Sequence, residues 1–499
     1  MNSFLNELKN DANITLTENQ GIAHKSTQKA VYDMFALCAA FRQRSEEDCI
    51  LMFKNAYEED PNLALKCLFY IGDCRGGQGE RRFFRVCFKW LAKKHPIIAK
   101  NLVKLIPEYR RWDDVIYACI DTPVETVALD FIKEQLNLDI ECKTPSLLAK
   151  WLPSENASAA ETKAMGNIVR TYLGLTHKQY RKVLSDLRSR INIVEKLMSE
   201  NRWDEIEFDK LPSKAGLVYK NAFARRDLIA KKYEAFAKDE DTKVNAGTLY
   251  PYEVVRKAIQ SKRFDIDEPE RIMVEKYWNN LPDYFDEKQS NILAVVDTSG
   301  SMTWGAGNAN PIDVAISLGI YCGERAGGPF KDHYISFSSR PQLIKIEGVD
   351  FVDKVQRIYR TNLCQNTDLT KTFDMLLNIA RTPGVSSSDI PDTIVVISDM
   401  EIDRMSGHGW EGTGRWTEET AETEMEKVRD KWAAAGLKLP RLIYWNVNAR
   451  DNIILDKGDS VSFVSGCSPV LFEQIITGKN GWDLCLSKLL SERYKAITV

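Results

Sequence analysis

The chain has 499 residues, more than one hydrophobic core normally supports, so we expect two or more domains. Its hydrophobic content of 44% is ordinary for globular proteins, and a formal net charge of −3 gives no general affinity for nucleic acid or membranes. No apolar run is long enough to span a membrane and the first residues lack the apolar core of a signal peptide, so we expect a cytoplasmic protein with no membrane partner.

The first 285 residues are dominated by helical patterns. Apolar residues recur at helical spacing, as at Val31, Met34 and Phe35 and again within residues 183–194. Turn signals, such as the glycine-rich segment 76–79, separate these patterns at short intervals. Successive helices joined by short turns are typical of an α-solenoid. We therefore predict a HEAT-like helical-repeat domain over residues 1–285, arranged as an open solenoid or a closed ring.

The 11 cysteines do not form a metal-binding pattern. Several of them, including Cys38, Cys67, Cys87 and Cys119, lie within apolar helical patterns. The sequence has no C-x-x-C pair and only 5 histidines, which argues against a zinc site. We expect buried, reduced thiols.

Beyond residue 285 the pattern changes to strands that alternate with helices. Continuous apolar runs at 292–296 and 394–397 predict central strands that are buried on both faces. Helical stretches follow, among them Pro311–Arg325 and a final one at 482–494. Strands and helices that alternate in this way form right-handed βαβ units with a parallel sheet. We predict a doubly wound, Rossmann-like domain over residues 286–499, so the fold class of the whole chain is α plus α/β.

Five oxygen-bearing side chains lie where elements of this predicted sheet end. Asp297, Ser299 and Ser301 directly follow the first strand, Thr367 precedes a helix, and Asp399 follows the run 394–397. Parallel strands end at one edge of the sheet, so we expect these side chains to converge. One carboxylate and two hydroxyls on a tight turn suit Mg²⁺, which keeps some of its water. In the alternative interpretation, the serines cap the next helix.

The ordered set resembles the metal-ion-dependent adhesion site of von Willebrand factor A domains. The resemblance covers all five positions and implies that Asp297, Ser299, Ser301, Thr367 and Asp399 hold Mg²⁺ directly or through water. We expect Mn²⁺ or Ca²⁺ to substitute for it. In that family the ion serves as a docking point and does not activate water.

The order of the two domains resembles the Ro autoantigen and other TROVE-module proteins, in which a ring of helical repeats is closed by an A domain. Several short segments are similar to an uncharacterised TROVE-like family with this layout, including Arg75-Gly-Gly-Gln-Gly-Glu-Arg81, Lys150-Trp-Leu-Pro-Ser154 and Leu211-Pro-Ser-Lys-Ala215. The resemblance implies a ribonucleoprotein whose ring receives the single-stranded ends of noncoding RNA. We therefore expect RNA as a partner.

RNA binding requires positive charge on one surface, because phosphate contacts dominate the affinity. The N-terminal domain supplies three basic clusters and one further lysine. The candidates are Arg75, Arg81, Arg82, Arg85, Lys89, Lys178, Arg181, Lys182, Lys214, Arg225 and Arg226. The glycines between Arg75 and Arg81 would also free backbone N–H groups for a phosphate. The alternatives are that these glycines only join two helices, that the cations form solvated faces, and that Ser213 caps a helix beside Lys214.

A non-enzymatic protein-binding scaffold is the competing functional class. In such a scaffold, an Asp or Glu of a protein partner completes the Mg²⁺ shell. Trp304, Trp410 and Trp416 lie near the predicted site in sequence and would anchor the partner, unless they fold back onto the sheet.

We expect no enzymatic activity. The sequence contains no G-x-x-x-x-G-K-[ST] phosphate loop, no G-x-S-x-G nucleophile turn and no H-E-x-x-H helix. A two-metal nuclease would need acids beyond Asp297 and Asp399, and Asp368, Glu401 and Asp403 are the nearby candidates.

Overall fold

The computed structural model describes residues 12–18, 22–191, 193–239, 241, 244–259, 266–285, 291–303, 310–337, 341–361, 369–401, 423–456, 460–476 and 479–499. The chain forms two compact units. The α/β unit consists of Met1–Cys67 and Leu249–Glu492, and the helical unit consists of Leu68–Thr248 and Arg493–Val499. The division predicted at residue 285 is sequential, whereas each observed unit combines two separate stretches of the chain.

Strands are found only in the α/β unit among the described residues. They are β1 (Ile14–Leu16), β2 (Ile22–His24), β3 (Ile292–Asp297), β4 (His333–Phe337), β5 (Gln342–Lys345), β6 (Thr393–Ser398), β7 (Arg441–Asn446) and β8 (Val461–Ser465).

Helices account for most of the remaining regular structure. They are α1 (Ala30–Leu37), α2 (Glu46–Glu59), α3 (Pro61–Gly72), α4 (Arg81–Lys94), α5 (Pro96–Val103), α6 (Ile106–Tyr109), α7 (Trp112–Cys119), α8 (Glu125–Glu141), α9 (Leu148–Trp151), α10 (Ala160–Tyr172), α11 (His177–Arg190), α12 (Val194–Ser199), α13 (Ser213–Ala224), α14 (Asp227–Lys238), α15 (Pro251–Ile259), α16 (Glu268–Asn279), α17 (Pro311–Arg325), α18 (Phe351–Thr361), α19 (Leu369–Ala380), α20 (Glu424–Ala434), α21 (Phe472–Ile475) and α22 (Gly481–Leu489). Short 3₁₀ turns lie at Cys38–Ala40, Trp203–Glu205, Phe208–Lys210, Ser301–Thr303, Ser387–Asp389, Pro469–Leu471 and Glu492–Tyr494.

A mostly parallel sheet forms the centre of the α/β unit. Its strand order is β5-β4-β3-β6-β7-β8, and β5 alone runs antiparallel to its neighbour. The two apolar runs predicted as central strands become β3 and β6, which pair in parallel and are buried along their whole length. The prediction of a parallel sheet with buried central strands is confirmed for five of its six strands, whereas the antiparallel β5 was not predicted. Aliphatic, largely β-branched residues favour this arrangement because they fill the space on both faces of the sheet.

The N-terminal residues belong to the α/β unit because they pack on its last strand. The Tyr32 hydroxyl on α1 accepts a hydrogen bond of 2.8 Å from the backbone N–H of Phe463 on β8. His24 on β2 forms a backbone bridge with Ile454. Residues that precede the helical unit in sequence therefore cover one end of the sheet.

Helix α16 joins the α/β unit through an aromatic contact and an ion pair. Trp278 stacks on Phe351 with ring centroids 4.2 Å apart. The Nε and Nη2 groups of Arg271 each donate a hydrogen bond of 2.7 Å to the Asp350 carboxylate, a bidentate geometry. These contacts place residues 268–279 with the sheet, although they lie before the predicted boundary.

The helical unit has an aromatic core. Phe69 on α3 meets Phe84 and Phe88 on α4 edge-on, with centroid distances of 5.2 and 6.3 Å. Tyr109 packs edge-on against the same Phe69 ring at 5.3 Å and stacks on Tyr494 at 5.7 Å. Edge-on and stacked pairs add to the stability from burying the rings.

The cysteine prediction is confirmed at the four positions considered. Cys38, Cys67, Cys87 and Cys119 are buried thiols that form no disulfide. No helix among the described residues is long and apolar enough to cross a membrane.

Candidate functional site

The turn after β3 brings three predicted metal ligands together. The Asp297 carboxylate accepts a hydrogen bond of 2.9 Å from the backbone N–H of Ser299, which closes the turn. The Ser299 and Ser301 hydroxyl oxygens lie 3.0 Å apart. Asn310 is at the N-cap of α17, so neither serine caps that helix. The alternative interpretation of the serines as caps of the next helix is therefore wrong.

The end of β6 adds the fourth ligand to the same place. The Ser398 hydroxyl donates a hydrogen bond of 2.6 Å to the second oxygen of the Asp297 carboxylate, so the ends of β3 and β6 are directly joined. Asp399 follows Ser398 and is as deeply buried as Asp297. Met400 has a φ of 66°, an uncommon backbone conformation for a residue other than glycine. The chain thus turns sharply immediately after Asp399.

The two buried carboxylates of this site repel each other when both are ionised. Burial, followed by the negative charge of Asp399, raises the pKa of the Asp297 carboxyl to about 7. Burial also raises the pKa of Asp399, although the Arg450 guanidinium opposes that effect. A cation held between the two carboxylates would favour the ionised form of both.

Arg450 is the cation that the described residues place at this site. Its Nη2 donates to the Asp399 carboxylate at 2.5 Å and to the backbone carbonyl of Ser301 at 3.2 Å. Its Nη1 donates to the Glu18 carboxylate. The backbone N–H of Glu18 donates at 2.6 Å to the carboxylate of Glu401, whose pKa burial raises to about 7.

Arg450 and Glu18 were not predicted from the sequence as members of this site. Arg450 follows β7, the strand beside β6, so the same rule about strand ends that selected Asp399 would have selected it. Glu18 had no such signal, because its position depends on the packing of the N-terminal residues.

The donor chemistry fits a hard divalent cation. Asp297, Ser299, Ser301 and Asp399 present only carboxylate and hydroxyl oxygens, which Mg²⁺ prefers over nitrogen or sulfur. Among the described residues, no group of three or more His, Cys, Asp or Glu side chains is arranged to hold a metal ion. The present set has two carboxylates, so water or a partner would have to complete the shell.

Some residues named in the sequence analysis lie outside the described residues. They are the fifth predicted ligand Thr367, the acids Asp368 and Asp403, and the tryptophans Trp304, Trp410 and Trp416.

The first predicted RNA-binding cluster is largely tied up in ion pairs within the helical unit. Arg81 and Arg85 on α4 pair with Asp113 at 2.9 and 3.1 Å, and Arg85 also pairs with Asp114. The buried Arg110 donates to Asp114 at 3.0 Å. The two arginines therefore connect α4 to α7, in addition to any contact they make with a ligand.

The glycine segment is a closed turn. Gln78, Gly79 and Glu80 donate their backbone N–H groups to carbonyls of Tyr70, Asp73 and Ile71 at 3.1, 2.9 and 2.8 Å. A Cβ at Gly77 would lie 2.0 Å from the Tyr70 carbonyl oxygen. The N–H of Gly79, one of the three glycines considered for phosphate binding, is thus already bonded, and close packing requires a glycine at position 77.

The other three cations of the first cluster differ in their contacts and in their exposure to solvent. Arg75 donates to the Glu108 carbonyl at 2.6 Å, and Lys89 lies 3.4 Å from the Asp121 carboxylate. Arg82 is half-buried at the start of α4.

The second cluster is presented to solvent. Lys178, Arg181 and Lys182 are exposed on α11 at positions that share one helix face. The Arg181 Nε donates to the carbonyl of His177, one turn earlier. No ion pair involving these three side chains is found among the described residues.

The remaining candidates are also exposed. Lys214 lies in the first turn of α13, and Arg225 and Arg226 follow its end. The Arg226 guanidinium stacks 3.7 Å from the centre of the Trp203 ring. That contact satisfies the flat face of the guanidinium and leaves its edge available for hydrogen bonding.

Two family models match the chain. Residues 17–121 and 139–290, more than half of the chain, match a domain of unknown function, DUF2828. Residues 291–483 match a second domain of unknown function, DUF7788. The junction between the two matches lies close to the domain boundary predicted at residue 285. The uncharacterized protein L728 of Acanthamoeba polyphaga mimivirus is 27% identical over 513 residues, which cover 94% of this chain and 85% of that protein.

Proposed function

The chain belongs to the DUF2828 family, and we propose that it is a non-enzymatic binding protein whose α/β unit holds Mg²⁺ as a docking point. In this proposal the α/β unit is a von Willebrand factor A domain with an adhesion-type metal site. One observation carries it: Asp297 and Asp399 meet at the ends of adjacent parallel strands, with the Ser299 and Ser301 hydroxyls beside them.

The role of the bound ion follows from the number of protein ligands. Two carboxylates and two hydroxyls leave part of an octahedral shell to water, and Thr367 is the candidate for one further contact. When bound, Mg²⁺ supplies a coordination position that a partner's carboxylate can take. Mn²⁺ and Ca²⁺ are the expected substitutes. The chain's own residues orient the ion, and no catalytic motif in the sequence assigns them a proton-transfer role.

Calorimetric titration of the full chain with Mg²⁺ tests the metal proposal. We expect Asp297→Asn to abolish binding, because it removes one of the two carboxylates, while the circular dichroism spectrum stays that of the wild type. Asp451→Asn is the matched control, since Asp451 is an exposed acid beside Arg450. That variant should bind Mg²⁺ within about twofold of wild type. Undiminished binding by Asp297→Asn would refute the proposed ligand set.

A second proposed function is RNA binding by the helical unit, as a HEAT-like array of the TROVE type. The supporting observation is the exposed cationic face of α11, formed by Lys178, Arg181 and Lys182. Exposed cations on one face can contact successive phosphates without the cost of breaking internal ion pairs. The expected ligand is cytoplasmic noncoding RNA with single-stranded ends.

Filter binding of single-stranded RNA over a salt series tests this second function. The slope of log affinity against log salt is negative, and each lost phosphate contact reduces its magnitude by about 0.7. Replacing Lys178, Arg181 and Lys182 by Gln should therefore make the slope shallower by up to about 2. Absence of binding by the wild type at low salt would exclude RNA as the ligand.

A control variant separates this effect from a general loss of charge. Lys54, Lys331 and Lys345 are exposed lysines of the α/β unit. Replacing these three by Gln removes the same charge and should leave the slope unchanged. Equal effects of the two triple variants would contradict a binding face on α11.

A further inference from the structure

Arg450 connects the candidate metal position to a second carboxylate of the same chain. Its Nη2 donates to Asp399 at 2.5 Å, and its Nη1 donates to Glu18. Glu18 lies between β1 and β2, more than 400 residues away in sequence. The segment that carries it therefore reaches the same edge of the sheet as the proposed metal ligands.

The two carboxylates that Arg450 contacts differ in how firmly they are held. Asp399 is fully buried, whereas the Glu18 side chain is 58% exposed and the Arg450 side chain is 24% exposed. An ion pair with an exposed carboxylate contributes little stability, because water competes for both charges. Glu18 is therefore the partner that Arg450 can exchange.

The remaining contact of Glu18 positions its backbone. The Glu18 N–H donates to the Glu401 carboxylate at 2.6 Å, which fixes the residue beside the site without using its side chain. The Nε of Arg450 is buried and has no hydrogen-bond acceptor among the described residues. The guanidinium thus has a donor that the present arrangement does not use.

We propose that Arg450 is a second anion contact beside the metal position, which binds a carboxylate of an acidic protein segment, and that Glu18 occupies it in the free chain as an internal competitor. This inference rests on the proposed metal-docking function. Glu18 itself shows that a carboxylate reaches the guanidinium. A partner with two nearby acidic side chains would place one on Mg²⁺ and exchange the other for Glu18.

The inference gives Glu18 and Arg450 opposite effects on binding. Removing an internal competitor raises the apparent affinity by a factor equal to the reciprocal of the fraction of sites that it had left unblocked. For an exposed ion pair, we expect Glu18→Gln to bind an acidic peptide about three- to fivefold tighter than wild type. Arg450→Gln should bind the peptide more weakly, and Glu18→Gln should have no further effect in the Arg450→Gln background.

Fluorescence anisotropy with a labelled hexaglutamate peptide, with and without Mg²⁺, measures these changes in the full chain. Asp451→Asn is again the control, because it removes one negative charge near Arg450 without removing a partner of that residue that is found among the described contacts. The gain in Glu18→Gln should clearly exceed the gain in Asp451→Asn. Equal gains would overturn the inference, as would a complete lack of peptide binding by Glu18→Gln in Mg²⁺.

A separate Mg²⁺ titration of each variant without peptide distinguishes the two proposals. If the wild type binds Mg²⁺ but Glu18→Gln and Asp451→Asn bind the peptide alike, the competitor role fails and the docking site stands. If the wild type binds no Mg²⁺, both proposals fail. If single-stranded RNA, and not the peptide, binds tighter to Glu18→Gln, the acidic protein partner is wrong.

Discussion

Gly77→Ala tests whether the glycine turn of the helical unit is required by packing. The new methyl group would lie 2.0 Å from the Tyr70 carbonyl oxygen and 3.0 Å from the Asp73 Cβ. The first distance is far below van der Waals contact, and neither the new Cβ nor the Tyr70 carbonyl oxygen can move without a shift of the main chain. The turn must therefore move away from the end of α3.

The magnitude follows from the hydrogen bonds that the movement would break. Gln78 N–H to Tyr70 O and Gly79 N–H to Asp73 O, at 3.1 and 2.9 Å, hold the turn against α3. Losing or stretching two such bonds, one of them at the buried Gln78, costs about 2 to 4 kcal/mol. We expect the free energy of unfolding to fall by this amount.

Urea denaturation monitored by circular dichroism measures the effect, with Gly247→Ala as the matched control. A Cβ at Gly247 would meet no atom within 4 Å, so that variant should stay within about 0.5 kcal/mol of wild type. Both glycines belong to the helical unit. If Gly77→Ala kept the stability of the wild type but bound RNA more weakly, the packing argument would be refuted and the phosphate-binding interpretation of the turn favoured.

Two further variants, one in each unit, test how much a carboxylate with an internal partner contributes to stability. Asp114→Asn should lower the free energy of unfolding by about 3 to 5 kcal/mol, because it leaves the buried Arg110 charge uncompensated; Asp121→Asn, an acid 76% exposed, should cost under about 1 kcal/mol in the same urea assay. In the α/β unit, burial acts to raise the pKa of Glu426, but hydrogen bonds from His24 and from the backbone of Thr423 outweigh it and lower that pKa from 4.5 to about 2. Glu426 therefore stabilises the fold above pH 4.5 and loses this contribution as the pH falls toward 2. The stability difference between wild type and Glu426→Gln should accordingly be large at pH 6 and shrink at pH 3, and a constant difference would contradict the assigned role.

The local sequence pattern was sufficient to predict those elements whose structure depends on residues close together in the chain. The helix predicted at Pro311–Arg325 has these bounds, since Pro favours the first helical position. The runs at 292–296 and 394–397 became paired central strands because continuous apolar residues require burial on both faces. Asp297 and Asp399 meet for the same reason, as residues at the ends of adjacent parallel strands.

Long-range packing explains what the sequence did not reveal. The sequence left two interpretations of the glycine turn, a phosphate-binding loop and a simple connection between helices. Its environment is set by Arg493 and Tyr494, whose side chains contact Asp73 from more than 400 residues away. Glu18 reaches Arg450 over a similar separation. No periodicity or motif encodes such contacts, because they depend on how helices and strands pack together once they have formed.

The α/β unit is assembled from two stretches of the chain that are far apart in sequence, and this affects the order in which it can fold. Residues of α1 leave the ribosome long before β8, the strand that Tyr32 contacts, has been synthesised. Contacts of such high sequence separation form late and slow the folding of a domain. During synthesis the apolar face of α1 therefore stays uncovered until β8 has been made. A fragment that starts at residue 286 would expose the surface on β8 that α1 covers, and would be prone to aggregate.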